Sequence, residues 1–379
     1  MNPTQHLYQA GQSLWLDSIN RTMLRDGTLS GYIDHLALTG LTSNPTILGR
    51  AMAAGTDYDE SLRAHLAGGT REPEELVYSV ALDDITAAAD LFRPVWDRTV
   101  GVDGYVSIEV PPGLAYDTDR SIEVARRLHQ QAGRPNVLVK IPGTPSGLVA
   151  MEHLVAEGIG INVTLLFSAE HYQRTAEAYI RALERRACDG LSLDVPCVAS
   201  VFVSRWDQAV DRLLPQDLHG RLGLAVAQNV YASYRSLLAE QRWTTLAAAG
   251  ARPQRVLWAS TSTKDPKLPD TYYVDELAAP DTINTMPEQT LLAYADHGGP
   301  VRLMKPDDAT AERCMATVTS HGIDIDALGQ ALQRRGARAF EADWATLLAA
   351  ISVKINSLAR GHLDPVGSAV SGGRSSNVR

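Results

Sequence analysis

Cysteine is scarce in this chain. There are three, Cys188, Cys197 and Cys314, widely spaced and with no CxxC pair, which excludes a disulfide framework and gives no zinc-type spacing. They fit reduced, mostly structural thiols. Basic charge is also short: the formal net charge is −9, which argues against non-specific nucleic-acid binding but leaves room for a local cationic pocket. No apolar run approaches the ~18 residues of a membrane span. The first residues, MNPTQHLYQAGQSLWLDS, lack the positive and apolar regions of a secretory signal, so the expected setting is the cytoplasm. No GxGxxG follows the first strand, the run 142–147 is no P-loop, and the ten histidines show no HxxxH or HExxH spacing. No Pro/Gly-rich linker interrupts the middle of the chain, and no internal repeat appears.

What is present is an alternation of short apolar runs with helical patterns. Strands are expected at 14–17, 36–41, 105–110, 136–143, 159–166, 198–203, 255–261 and 282–286. Between them, 46–100 reads as helical pieces punctuated by Gly55, Gly68-Gly69 and Pro94, and 118–131 as an amphipathic helix. Ser146 can cap a helix that stops at Gly158. Residues 168–187 form a long helix with Tyr172, Ala176, Tyr179 and Leu183 as its core stripe. Two helices occupy 206–249, another starts near Pro287, and 308–359 is helical throughout. Eight strands separated by helices predict an α/β fold with a parallel sheet, closed as a (β/α)8 TIM barrel with additional helices and a C-terminal helical extension. We expect one unit over 1–360 and a disordered Gly/Ser-rich tail over 361–379.

The stretch NVLVKIPG (136–143) organises the chemistry. An apolar run buried on both faces carries Lys140 near its end, and Pro142-Gly143 stop it. An ammonium is costly to bury, and a free amine is a nucleophile able to form a Schiff base with a carbonyl. A snorkelling or ion-paired lysine, or one holding a phosphate as a point charge, fits the same position. In a β/α barrel the C-terminal strand ends converge on one face. Here they bring Asp17, Asn44, Glu109, Lys140, Asn162 with Thr164, Ser200 with Arg205, and Lys264. Singly, Asn44 reads as a turn residue, Glu109 as a lysine's partner and Arg205 as a solvated cap. Together, two carboxylates, a lysine and two further cations suit carbanion chemistry on a phosphorylated carbonyl compound.

The motifs LWLDSI, GLTSNPTI, VSIEV, NVLVKIPGT, INVTLLFS, VASVFVSRWD, VLWASTSTKDP and DTINTMPEQTLLAYADHG resemble those of transaldolases, in matching order over almost the whole chain before the tail. The resemblance implies an aldolase-type barrel of the pentose phosphate pathway. It would move a dihydroxyacetone unit from sedoheptulose 7-phosphate to glyceraldehyde 3-phosphate, giving erythrose 4-phosphate and fructose 6-phosphate. Lys140 matches the Schiff-base lysine. Asp17 matches the acid/base at the C4 hydroxyl, and Glu109 with Thr164 the pair that manages a water. Asn44, Asn162 and Ser200 match groups that bind the dihydroxyacetone hydroxyls. Phe202 falls in a matching motif beside Arg205, which matches a phosphate ligand. Asp17 must be ionised to accept a proton, so it is expected to be less desolvated than Lys140.

One departure is clear. Many family members carry a second phosphate-binding arginine after strand seven, where this chain has Lys264, which supplies charge without the bidentate fork. The partners implied are small sugar phosphates, with no nucleic acid, no membrane, no metal and no organic cofactor, on a monomer or homodimer. A fructose-6-phosphate aldolase-like lyase uses the same lysine, but Glu109 and the long chain argue against it. A non-catalytic sugar-phosphate-binding barrel is the other alternative, and intact Asp17, Glu109, Lys140 and Thr164 speak against it.

Overall fold

A computed structural model describes residues 1–43, 49, 51–53, 55–306 and 309–360. Its strands are β1 (Gln12–Leu16), β2 (Leu38–Thr42), β3 (Tyr105–Glu109), β4 (Val137–Pro142), β5 (Ile161–Leu166), β6 (Cys197–Phe202), β7 (Arg255–Ala259) and β8 (Thr282–Met286). All neighbours pair in parallel, and β8 pairs with β1, so the sheet closes in chain order as a (β/α)8 barrel. Every residue of every strand is buried, as expected where one face meets the barrel interior and the other the helices.

Successive residues sort to opposite faces. Trp15, Tyr105, Leu138, Val198, Leu257 and Ile283 pack together inside the barrel. Their neighbours Leu14, Val139, Ala199, Val256 and Trp258 join the layer beneath the helices. Trp15 fits because β2 carries Gly40 opposite it, where a Cβ would lie 2.5 Å from the indole. The period of two then puts Asp17 on the face of Trp15, Lys140 on that of Leu138, and Ser200 and Phe202 on that of Val198.

Several local expectations shift by a residue or two, and three differ in kind. The helix Pro73–Arg98 runs through Pro94 instead of breaking there. Pro94 removes one backbone donor, at a cost of about 3 kcal/mol in a helix interior, but it lies in the last turn and a half, and the fully buried Phe92 and Val95 on either side hold the helix in register. The helix Pro145–Ala156 is capped by Thr144, whose hydroxyl accepts from Gly147 N, and not by Ser146, which lies inside it. The region 206–249 holds more pieces than two: Ser204–Val210, two 3-10 turns around Pro215, then Leu222–Leu238 and Gln241–Ala248. The expected stripe of Tyr172, Ala176, Tyr179 and Leu183 is buried.

The helical C-terminal region resolves into Thr310–Ser320 and the long helix Ile325–Arg360. The latter reaches back over the C-terminal end of the barrel. Its buried Gln333 donates to Gly143 O and Leu165 O, each at 3.0 Å. The tail lies outside the described residues. No described helix is long and apolar enough to cross a membrane.

Candidate active site

Barrel register sets the centre of the site. Glu109, Lys140 and Asn162 lie side by side on β3, β4 and β5. Glu109 Oε2 meets Lys140 Nζ at 3.1 Å, and the side chains are 1% and 7% exposed, so this is a dry ion pair whose field water barely screens. Lys140 Nζ also donates to Ser43 O at 3.4 Å. Burial pushes the Glu109 carboxyl up; the lysine's charge and hydrogen bond pull it back, and Asp17 adds to the rise.

Asp17 follows β1. Its backbone N–H is tied to Met286 O at 2.8 Å, and its carboxylate accepts from Thr42 Oγ1 at 2.9 Å. Asp17 is half-buried as a residue where Lys140 is buried. Even so, protein surrounds its carboxyl closely enough that burial is the largest influence and pushes it up, against the pull of Lys140, the Thr42 hydroxyl and Arg205.

Beside the lysine, Asn162 is fixed at both ends of its amide. It donates to Ser107 Oγ at 3.1 Å and accepts from Ser200 Oγ at 2.7 Å, all three residues being buried. Thr164 is fully buried, and its Oγ1 has no hydrogen-bond partner among the described residues. The next residue, Leu165, has φ +62. A bulky side chain there is strained, and the register shift in β5 accompanies it.

Arg205 opens the helix after β6. Its guanidinium lies 4.7 Å from the Phe202 ring centroid and 5.5 Å from that of Phe340. Burial pushes it down, and Asp17 and Asp343 hold it up.

The structure thus gathers Asp17, Glu109, Lys140, Asn162, Ser200, Phe202 and Arg205, with Thr164 next to Pro142 in register. Asn44 lies outside the described residues. Lys264 is exposed, bonds Ser262 Oγ at 2.9 Å, and lines a cavity of about 500 Å³ with Ser204, Asp207 and Tyr273. Sequence reasoning missed Thr42, Ser107 and the buried Thr285, whose hydroxyl lies 2.9 Å from that of Thr42. Ser107 stands two residues before Glu109, so strand alternation could have found it. Phe340, Asp343 and Gln333 carried no signal, because only folding brings their helix over the barrel. Among the described residues, no group of three or more His, Cys, Asp or Glu side chains is placed to share a metal ion. A cavity of about 510 Å³ lies at the opposite, N-terminal end, around Ser13, Asp103 and Arg255.

Fold and site together define a β/α-barrel protein with a buried lysine–carboxylate pair at its C-terminal mouth. The sequence profile of the family described as Transaldolase/Fructose-6-phosphate aldolase matches residues 14–351. Relatives named transaldolase include one from Thermobifida fusca, 45% identical over 92% of this chain and 96% of its own length. Another, from Thiobacillus denitrificans, is 43% identical over 93% and 100%. A third, from a Parafrankia species, is 42% identical over 94% and 99%. The chain belongs to the transaldolase/fructose-6-phosphate aldolase family.

Proposed function

We propose that the protein is a transaldolase, moving a dihydroxyacetone unit from a ketose phosphate to an aldose phosphate through a Schiff base on Lys140. The observation that carries this reading is the dry 3.1 Å pair of Lys140 with Glu109, with Asp17 close enough for its charge to act on Glu109 and Arg205 close enough to act on Asp17. The full-length match to relatives named transaldolase favours transfer over release of free dihydroxyacetone.

Lys140 must first lose a proton. Glu109, pushed up by burial, is placed to take it, which leaves an amine to attack the C2 carbonyl of the donor. The carbinolamine then expels water; Glu109 and Thr164 handle that water here and when the product is hydrolysed off. In the iminium, the C3–C4 electrons have somewhere to go. Asp17 takes the C4 hydroxyl proton, the bond breaks, the aldose phosphate leaves, and an enamine stays on Lys140. Adding the acceptor aldehyde reverses these steps, with the proton returning from Asp17. The upward push on Asp17 suits it to both directions, since a base that must return its proton works best near the operating pH.

Asn162 and Ser200, locked to each other and to Ser107, hold the dihydroxyacetone hydroxyls, together with Asn44. Arg205, over Phe202, takes the phosphate, and Lys264 adds a second charge from the rim. The reading places the enzyme in the cytoplasm, as a monomer or homodimer acting on small sugar phosphates and not on nucleic acid. Free thiols at Cys188, Cys197 and Cys314 suit a reducing compartment.

The test is borohydride reduction in the presence of fructose 6-phosphate, followed by peptide mapping. A reduced three-carbon adduct on Lys140 is expected. Its absence from folded, sugar-phosphate-binding protein would leave the non-catalytic barrel, and accumulation of free dihydroxyacetone without an acceptor would favour the lyase.

A further inference from the structure

Arg205 is oriented in an unusual way for a half-buried cation. No hydrogen bond or ion pair to it occurs among the described residues; Asp17 and Asp343 act on it only through their fields. What it touches is aromatic: Phe202, from the strand just before it, and Phe340, from the long C-terminal helix. Phe202 is braced in turn by Phe167, with ring centroids 5.4 Å apart and planes at 29°. The helix comes this close because residue 336 is glycine. A Cβ there would lie 2.9 Å from Leu165 Cδ2 and 3.3 Å from Arg205 Nη1.

A guanidinium held by ring faces differs from one held by a carboxylate. Cation–π contact uses the flat face and leaves the N–H edge unspent. It also restricts a long side chain before any ligand arrives, so less ordering remains to be done on binding. Resting on the transaldolase reading above, we infer that Phe340 is a positioning residue that holds Arg205 edge-out toward a phosphate, and so sets the preference for phosphorylated over unphosphorylated aldehydes. The C-terminal helix thereby supplies part of the specificity of a site whose chemistry lies on the strands and at their ends.

Phe340 is only half-buried, so its replacement need not unfold the chain. The experiment compares wild type, Phe340→Leu and Phe340→Tyr with fructose 6-phosphate as donor, and erythrose 4-phosphate or unphosphorylated erythrose as acceptor. For Phe340→Leu, KM for erythrose 4-phosphate should rise about 3- to 20-fold, with kcat within about twofold and kcat/KM for erythrose unchanged. Phe340→Tyr keeps the ring and should restore wild-type behaviour. Calorimetry with inorganic phosphate, which needs no turnover, should give a Kd for Phe340→Leu weakened by the same factor. Parallel losses on both acceptors, an unchanged KM, or an unchanged phosphate Kd would overturn the inference. Weakened phosphate binding in a protein that transfers nothing would instead remove the transaldolase reading and leave the role of Phe340 standing.

Discussion

The two ends of the barrel carry nearly the same groups: a cation and a carboxylate paired with each other, with a hydroxyl close by. At the N-terminal end, Arg255 Nη1 donates to Asp103 Oδ1 and Val102 O, and Nη2 donates to Ser13 Oγ and Thr282 O; Ser13 Oγ donates to Asp103 Oδ2. Both guanidinium Nη groups and both carboxylate oxygens have protein partners. At the C-terminal end, Lys140 Nζ and Glu109 Oε2 have one another at 3.1 Å, but the fully buried Thr164 Oγ1 lacks a hydrogen-bond partner among the described residues. An unsatisfied buried polar atom costs about 1–3 kcal/mol. Fully partnered, the set serves as a clasp; left partly open, it can bind and react. Charge type does not separate the two roles, but completeness of hydrogen bonding does.

Four substitutions test that contrast. Lys140→Met should lower kcat by at least about 10⁴-fold while the protein stays folded, as read by a coupled transfer assay beside circular dichroism; wild-type turnover would end the Schiff-base assignment. Arg255→Met, at the clasp, should do the reverse. Stranding the buried Asp103 costs about 3–5 kcal/mol of stability in urea unfolding, while the folded fraction still traps substrate on Lys140. If the trap fails and stability holds, the ends have been assigned the wrong way round. Glu109→Gln keeps the shape but cannot accept the lysine's proton, so kcat, measured on the folded fraction, should fall by about 10²-fold or more.

The smallest effect concerns Asp207, a buried carboxylate held by Tyr273 Oη and Gly223 N with no ion pair among the described residues. Burial raises it from 3.8 to about 6. A carboxyl raised on folding is disfavoured in its ionised form, so the penalty is absent below about pH 4 and complete above about pH 6. Asp207→Asn should therefore stabilise the protein by roughly 2–3 kcal/mol at neutral pH and by nothing near pH 4. Urea midpoints at the two pH values measure this, and an equal difference at both would show that Asp207 does not titrate there.

Much of this was legible in the residue order. Eight apolar runs between helical patterns specified the barrel, because a strand buried on both faces needs uninterrupted apolar residues. Lys140 stood out as a charge inside such a run, and closure of the barrel in chain order places the other strand ends around it. Pro94 misled because local propensity is outweighed by packing of Phe92 and Val95, and Thr144 was overlooked in favour of a serine two residues later.

What the sequence by itself determined is the strand alternation and the residue types at each strand end, since both follow from local periodicity. Only the tertiary structure decided which of those residues are satisfied by protein and which are left open. It also decided that Lys264 is exposed, and that Gln333 and Phe340 reach the site. Those outcomes depend on contacts between residues far apart in the chain, such as Gln333 with Gly143, 190 positions away, and no local pattern encodes where a long helix will come to rest.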